Sequence, residues 1–246
     1  MKIAASGGGV GDIIYSVPLL KKLNVDVLYI KQSWYPDGSS MFSILKRLIQ
    51  LQGFKVLPTS GDYPHYEYEP GLQYDYDLDA CKRDPHLRGV IHIIESYYRY
   101  YNISFKGYEM FNPWLVVPDS ENKIDVNYSV FMVTQRWREW TTHKWSKTFH
   151  NVEGLKIFVG FREDYEWFLH EIKQSVGSDD LLYVETKDVL EVAQLIKSAK
   201  ALYCNQNFSL PIAQGLGKQC FVEFKPRKTN CMTYRDNEHI LNPQDQ

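Results

Sequence analysis

Two runs of alternating strand and helix signals, one in each half of a 246-residue chain, predict an α/β fold of two doubly wound, Rossmann-like domains facing each other across a cleft. Three observations carry this expectation. A short apolar strand at the N-terminus runs straight into a glycine turn and a helical pattern. The same alternation restarts at Ser129, in a fuller form. Between the halves, Pro113 and Pro118 bracket Trp114-Leu115-Val116-Val117, and a polar stretch over 118–127 reads as a linker. Domain bounds of 1–120 and 121–246 follow, each within the usual domain size.

The first strand is Lys2–Ala5. Gly7-Gly8-Gly9-Val10-Gly11 follows, and a helix starts near Asp12 with Ile13, Val17, Leu20 and Leu23 near helical spacing. Pro18 inside that pattern predicts a kink or a late start, because proline has no N–H to give and crowds the preceding turn. Val25–Ile30 reads as a strand. Met41–Gln52 reads as a helix that Gly53 ends, and Phe54–Leu57 as a third strand. This β-α-β-α-β order calls for parallel strands with right-handed crossovers. Residues 58–86 are rich in Pro, Gly, Tyr and Asp without periodicity, and read as a long loop or small insertion. Val90, Ile93, Ile94, Tyr97 and Tyr101 then mark one face of a helix.

The second half opens with a strand, Ser129–Thr134, and a tryptophan-rich loop, Gln135–Ser146. Leu155–Val159 is a strand. Tyr165, Phe168, Leu169, Ile172 and Val176 have helical spacing, and Leu181–Val184 is the next strand. Thr186 is the expected cap of a helix that turns Val189, Val192, Ala193 and Ile196 inward. Ala201–Cys204 (strand), Leu210–Leu216 (helix) and Gln219–Phe224 (strand) complete the series.

Composition narrows the function. A formal charge of -2 argues against a protein that coats nucleic acid, which needs a basic excess. The four cysteines (Cys81, Cys204, Cys220, Cys231) form no Cys-x-x-Cys pair, so a disulfide framework or zinc site is not expected and a reducing, cytoplasmic setting fits. No apolar run reaches the roughly 20 residues that span a bilayer. Peripheral contact with an inner membrane stays compatible, as does a host cytoplasm for a viral protein. Aromatic residues make up 15%, read equally well as core filler or as flat faces for sugars and bases.

The glycine turn offers backbone N–H groups at a helix N-terminus, a setting suited to phosphate or to close approach of a substrate. Its spacing is not G-x-G-x-x-G, since Asp12 stands at the last position, and no Gly-Lys-Ser/Thr follows. Asp12 is therefore either the cap of a tight turn or a general base at the edge of a cleft. Asp75-Tyr76-Asp77-Leu78-Asp79 contains overlapping D-x-D patterns of the kind that bind divalent cations through carboxylates, but in this irregular context it reads as a solvated loop. No histidine pair has metal spacing, and no metal or other cofactor is expected.

Gly11-Asp12-Ile13-Ile14-Tyr15-Ser16-Val17-Pro18-Leu19-Leu20 resembles the opening of the lipopolysaccharide heptosyltransferases, glycosyltransferase family nine. His92–Tyr98, Trp114–Pro118 and Val130–Thr134 with Lys144-Trp145-Ser146 are similar to later segments of that family. So are Leu190–Ile196, Ala199–Asn205 and Ala213–Lys218. The resemblance implies a GT-B fold, with an acceptor-binding first domain and a nucleotide-sugar-binding second domain. It implies metal-independent, inverting transfer, with Asp12 activating the acceptor hydroxyl. It makes Lys144 the candidate for the donor phosphates, with Arg136 and Arg138 as nearby alternatives. It assigns Asn205, Asn207, Phe208 and Ser209 to the donor turn; residues 184–189, Glu185 among them, are placed by their position at a strand end to pack on the nucleobase. Gly9, Gly11, Tyr15 and the tyrosine-rich loop with Tyr66 and Tyr68 fall on the acceptor side. The family's Asn-Asp-Ser-Gly-Pro-Met-His is here Asn205-Gln206-Asn207-Phe208-Ser209-Leu210-Pro211, so the aspartate and histidine are missing and heptose specificity does not carry over. The expected partners are a nucleotide-sugar and a glycan or lipid-linked saccharide. Two other readings stay open: a phage-type transferase acting on modified DNA bases, and a GT-B domain that binds nucleotide or glycan without turnover.

Overall fold

The structure, a computed structural model, describes residues 1–32, 39–60, 71–87, 91–120, 124, 126–135, 143–173, 181–225 and 231–241. The chain divides into two compact units, one built on Met1–Val117 and the other on Pro118–Lys187 and most of the chain from Glu191 onward.

The first unit follows the order β1 (Ile3–Ser6), α1 (Val10–Leu23), β2 (Val27–Lys31), α2 (Met41–Gln50), β3 (Lys55–Thr59), β4 (Tyr76–Asp77), α3 (Ala80–Arg83), α4 (Ile93–Tyr100), α5 (Tyr108–Phe111). Its strands are parallel in the order β3-β2-β1-β4. Alternation of sides around β1 creates a switch point between β1 and β4, where a doubly wound sheet opens a crevice at its carboxyl edge. Pro58 lies within β3, which its place at the sheet edge permits. Helix α1 is buried from Ile13 to Leu20, so it reads as nearly all apolar rather than striped. Each fully buried Ile or Leu on it contributes roughly 2 kcal/mol. Pro18 sits inside α1 without ending it, and the helix begins at Val10 rather than late. Asn24 closes it in the left-handed region, φ 54°.

Residues 58–86 are not wholly a loop. Tyr76–Asp77 pairs in parallel with Ala4 and Ala5 to complete the sheet, and α3 follows directly. The strand is two residues long and carries an acidic residue, so neither alternation nor an apolar run could mark it. The segment 114–117 forms no strand. Gln52 takes the place of a neighbouring strand instead: its Nε2 donates to the Val116 carbonyl at 2.8 Å and its Oε1 accepts the Val116 N–H at 2.9 Å.

The second unit runs β5 (Tyr128–Met132), α6 (Trp145–Asn151), β6 (Leu155–Val159), α7 (Arg162–Lys173), β7 (Leu181–Val184), α8 (Val189–Ser198), β8 (Leu202–Asn205), α9 (Ser209–Leu216), β9 (Cys220–Glu223), β10 (Glu238–Ile240). The sheet is parallel in the order β10-β9-β8-β5-β6-β7. Numbered from β5, that is 3-2-1-4-5-6, the full dinucleotide-fold order, with its switch point between β5 and β8. The core is aromatic: Phe131, Trp145, Phe149, Phe158 and Phe168 pack together, with Phe131 and Phe168 centroids 5.6 Å apart. Much of the aromatic content is thus interior filler.

Two sequence readings change here. Ser146 lies inside α6, so the tryptophan-rich loop ends one residue before a short helix; its apolar residues, Trp145 and Phe149, span a single turn and give no periodic signal. Helix α8 starts at Val189, so Thr186 stands upstream of the cap position; Lys187 N–H instead bonds to Glu191 at 2.8 Å. The tail after Phe224 adds β10 beside β9 in the second unit's own sheet.

Candidate active site

In the first unit the glycine turn leaves β1 at Ser6 and enters α1 at Val10, beside the carboxyl end of β4. Gly9 precedes the helix, exposed and with extended backbone, and Asp12 is the third helical residue. The Gly9 N–H donates to Asp12 Oδ2 at 3.1 Å, so Asp12 does close the turn. The same Oδ2 accepts Lys82 Nζ at 2.8 Å. Oδ1 carries no hydrogen bond among the described residues, and the side chain is 33% exposed. Asp12 therefore caps its helix with one oxygen and presents the other.

Lys82, on α3, also donates to Asp79 Oδ1 at 2.9 Å. Asp79 is fully buried, and its Oδ2 accepts the Gly7 N–H. Burial works to lower the Lys82 pKa, but the carboxylates of Asp12 and Asp79 outweigh it and hold the ammonium above the ordinary lysine range. Gly8 makes room for this group: a Cβ there would lie 2.1 Å from Lys82 Nζ. Tyr97, buried on α4, donates from its hydroxyl to the Asp12 carbonyl at 3.1 Å.

The acidic run is not a solvated loop. Asp75 accepts the Ile3 N–H at 2.7 Å, Asp77 accepts the Asp79 N–H at 2.9 Å and pairs with Arg83, and Asp79 holds Gly7 and Lys82. The run is the brace that fixes β4 and the glycine turn. Among the described residues no group of three or more His, Cys, Asp or Glu side chains is arranged to hold a metal ion. Asp79 and Lys82 join the site without a sequence signal of their own: their i,i+3 spacing is the one feature a sequence offers, and it is common to any helix surface.

Other first-unit candidates lie close by. Gly11 is half-buried in the first turn of α1. Tyr15 is 2% exposed, with its ring edge-on to His92 at 5.2 Å, so it belongs to the core beneath the site. Tyr66 and Tyr68 lie outside the described residues, as do Arg136 and Arg138.

In the second unit, Asn205 ends β8 and Asn207 and Phe208 lead into α9. Asn205 Nδ2 donates to the Thr134 carbonyl at 2.7 Å and its Oδ1 accepts the Thr134 N–H at 3.2 Å. Asn207 Nδ2 donates to the Met132 carbonyl at 2.7 Å, and its Oδ1 accepts both Ser209 N–H (2.8 Å) and Ser209 Oγ (2.6 Å). These side chains stitch the ends of β5 and β8 across the switch point and cap α9, so they shape the turn rather than project from it. Phe208 is half-buried and Ser209 fully buried. Lys144 is exposed at the N-cap position of α6, and Glu185 is exposed just beyond β7. A lysine at the positive end of a helix is electrostatically unfavourable unless an anion joins it. The next residue, Trp145, is fully buried and donates from Nε1 to the buried Glu223 Oε2 at 3.0 Å.

Two doubly wound parallel sheets, each with a polar switch point, define the GT-B class of fold. Among solved structures, the chain is similar to a glycosyl transferase family 9 protein from Veillonella parvula, with a TM-score of 0.65 and 11% identity over 99% of this chain and 86% of that one. It is also similar to the E. coli heptosyltransferase WaaC with ADP, at a TM-score of 0.62 and 12% identity over 98% of this chain and 92% of that one. The iron-containing dodecameric glycosyltransferase TibC of enterotoxigenic E. coli follows at 0.56 and 11% identity, over 96% of this chain and 61% of that one. No protein-family model matches the sequence, and neither does any curated protein. No helix among the described residues is long and apolar enough to cross a membrane.

Proposed function

We propose that the protein is an inverting, metal-independent glycosyltransferase that moves a sugar from a nucleotide-sugar to a hydroxyl of a glycan or lipid-linked saccharide. The observation that carries this reading is Asp12: a part-exposed carboxylate with one oxygen held and the other open, at the carboxyl edge of a sheet whose fold is that of the heptosyltransferases.

Asp12 takes the proton of the acceptor hydroxyl. The freed oxygen attacks the anomeric carbon as the bond from that carbon to the diphosphate breaks, which inverts the centre. Lys144 balances the charge that develops on the leaving nucleoside diphosphate, the role a divalent cation plays elsewhere, and the α9 dipole adds to it although the first α9 amides are bonded within their own turn. The first unit takes the acceptor and the second the donor, with Glu185 near the nucleobase. Commitment of the Gly7 and Gly9 amides to Asp79 and Asp12 supports this division, because those groups are no longer open to a phosphate. Cys81, Cys204 and Cys220 are buried thiols, in keeping with a cytoplasmic location.

The test is a panel of ADP-, UDP-, GDP- and dTDP-linked sugars, with EDTA present, scored for release of nucleoside diphosphate and in parallel for binding. ADP-linked heptose heads the panel because WaaC is known with ADP-2-deoxy-2-fluoro heptose. Turnover of one donor that persists in EDTA and is lost in Asp12→Ala supports the assignment. Binding without turnover by the unaltered protein rejects catalysis, and no binding at all rejects the nucleotide-sugar site.

A further inference from the structure

Lys82 and Asp79 have no assigned part in that reaction, yet they are built into its centre. We infer that they form a positioning relay for Asp12, an inference that rests on the glycosyltransferase reading. Asp79 is the anchor. Fully buried at the end of β4, it is fixed by the Gly7 N–H on one oxygen and by Lys82 on the other. Lys82 is the arm, with its ammonium in the space that the missing Gly8 side chain leaves open. It reaches Asp12 Oδ2 at 2.8 Å, the oxygen that also caps the helix.

The geometry has a chemical consequence. A free aspartate side chain rotates and offers either oxygen. Here two donors converge on Oδ2, which fixes the rotamer and leaves Oδ1 as the proton acceptor. Arrival of the proton at Oδ1 weakens the ion pair with Lys82, and the Asp79 carboxylate keeps the ammonium in place through that change. Pre-setting a base this way matters because misplacement by about 1 Å costs on the order of a hundredfold in rate. Lys82 touches the base rather than the reacting hydroxyl, so its effect runs through Asp12.

The experiment uses the full chain and the sugar nucleotide from the ADP, UDP, GDP and dTDP panel that turns over, with water as acceptor. Lys82→Met keeps the length of the arm and removes its charge. Asp79→Asn keeps an acceptor for Gly7 and weakens the hold on Lys82. The expected result is a fall in kcat of roughly a hundredfold for Lys82→Met with KM for the donor little changed, and a smaller fall for Asp79→Asn. In the Asp12→Ala background, Lys82→Met produces no further fall. Losses that multiply in the double variant, or a kcat for Lys82→Met equal to that of the unaltered chain, overturn the relay while leaving the transferase reading intact. No turnover by the unaltered chain overturns the transferase reading, and the relay with it. Circular dichroism melts confirm folding, and where Lys82→Met does not fold, the same cycle is run with Asp79→Asn.

Discussion

Replacing Gly8 by alanine tests whether the ammonium of Lys82 is held where the structure puts it. The backbone there is not in the left-handed region, so alanine meets no torsional objection. The obstacle is contact. The new Cβ would stand 2.1 Å from Lys82 Nζ and 3.1 Å from both Asp12 Cβ and Asp79 Oδ1. Ordinary contact is restored only if the ammonium retreats by more than about 1 Å, which breaks its bonds to Asp12 and Asp79 together. Asp79 is fully buried, and leaving such a carboxylate without its counter-charge costs about 3 kcal/mol, at the lower end because the Gly7 amide stays. For a chain of this length that is a fall in Tm of about 6–12 °C. Gly9→Ala is the control: its Cβ meets nothing nearer than Asp12 Oδ2 at 3.7 Å, and the cost stays below about 1 kcal/mol. Differential scanning fluorimetry of both variants gives the answer. A Gly8→Ala melt that overlays that of the unaltered chain refutes the placement of Lys82 and the energy assigned to it.

Three further outcomes are expected. Asn207→Ala removes the bonds to Met132 and Ser209 and loses roughly 1–2 kcal/mol of stability in urea unfolding; calorimetry should show nucleoside diphosphate binding about tenfold weaker, the equivalent of 1.4 kcal/mol. Trp145→Phe keeps most of the aromatic packing but strips a donor from the buried Glu223 carboxylate, and costs about 1–3 kcal/mol by the same measurement. His92 is pushed down from 6.5 to about 3 by burial. Between those values the unfolded chain binds the extra proton, so stability falls as pH drops through the window, by up to about 1.4 kcal/mol per unit. His92→Asn keeps a cap for Ile94 N–H and should flatten that acid limb of stability against pH.

The parts of the fold that were legible in the sequence are those with long apolar or periodic signals. β6 and β7 fall at the residues the sequence marks, and α2 and α9 within two residues of them. What stayed hidden was short and polar. β4 is two residues, β10 reads Glu-His-Ile, and α6 carries a single apolar turn, so each exists because a neighbour supplies its hydrogen bonds or covers its one apolar side. Asp12 could be singled out because an acidic residue is anomalous in a glycine turn. Asp79 and Lys82 could not, because an Asp-x-x-Lys spacing is ordinary on any helix surface. Their significance comes from the parallel pairing of β4 with β1, a contact across more than 70 residues that no local pattern encodes.

That pairing explains why the first glycine turn has the look of a phosphate loop and a different use. In a dinucleotide fold the turn after the first strand leaves its amides open to an anion, and the helix dipole adds to the attraction. Here the anions are supplied by the chain itself. Gly7 donates to Asp79 and Gly9 to Asp12, and Lys82 stands between the two carboxylates. A phosphate arriving at this edge meets no open amide at those two positions and two like charges beside them, whereas a hydroxyl meets Asp12 Oδ1, which has no competing donor among the described residues. The second unit caps its turn with amide side chains instead of carboxylates. Its asparagines bond mainly to the backbone of their own turn and of the end of β5, and Lys144, at the N-cap position of α6, is exposed. The first sheet edge thus spends two of its turn amides on its own carboxylates, and this use of the turn, more than the net charge of either edge, supports a proton acceptor rather than a diphosphate site in the first unit.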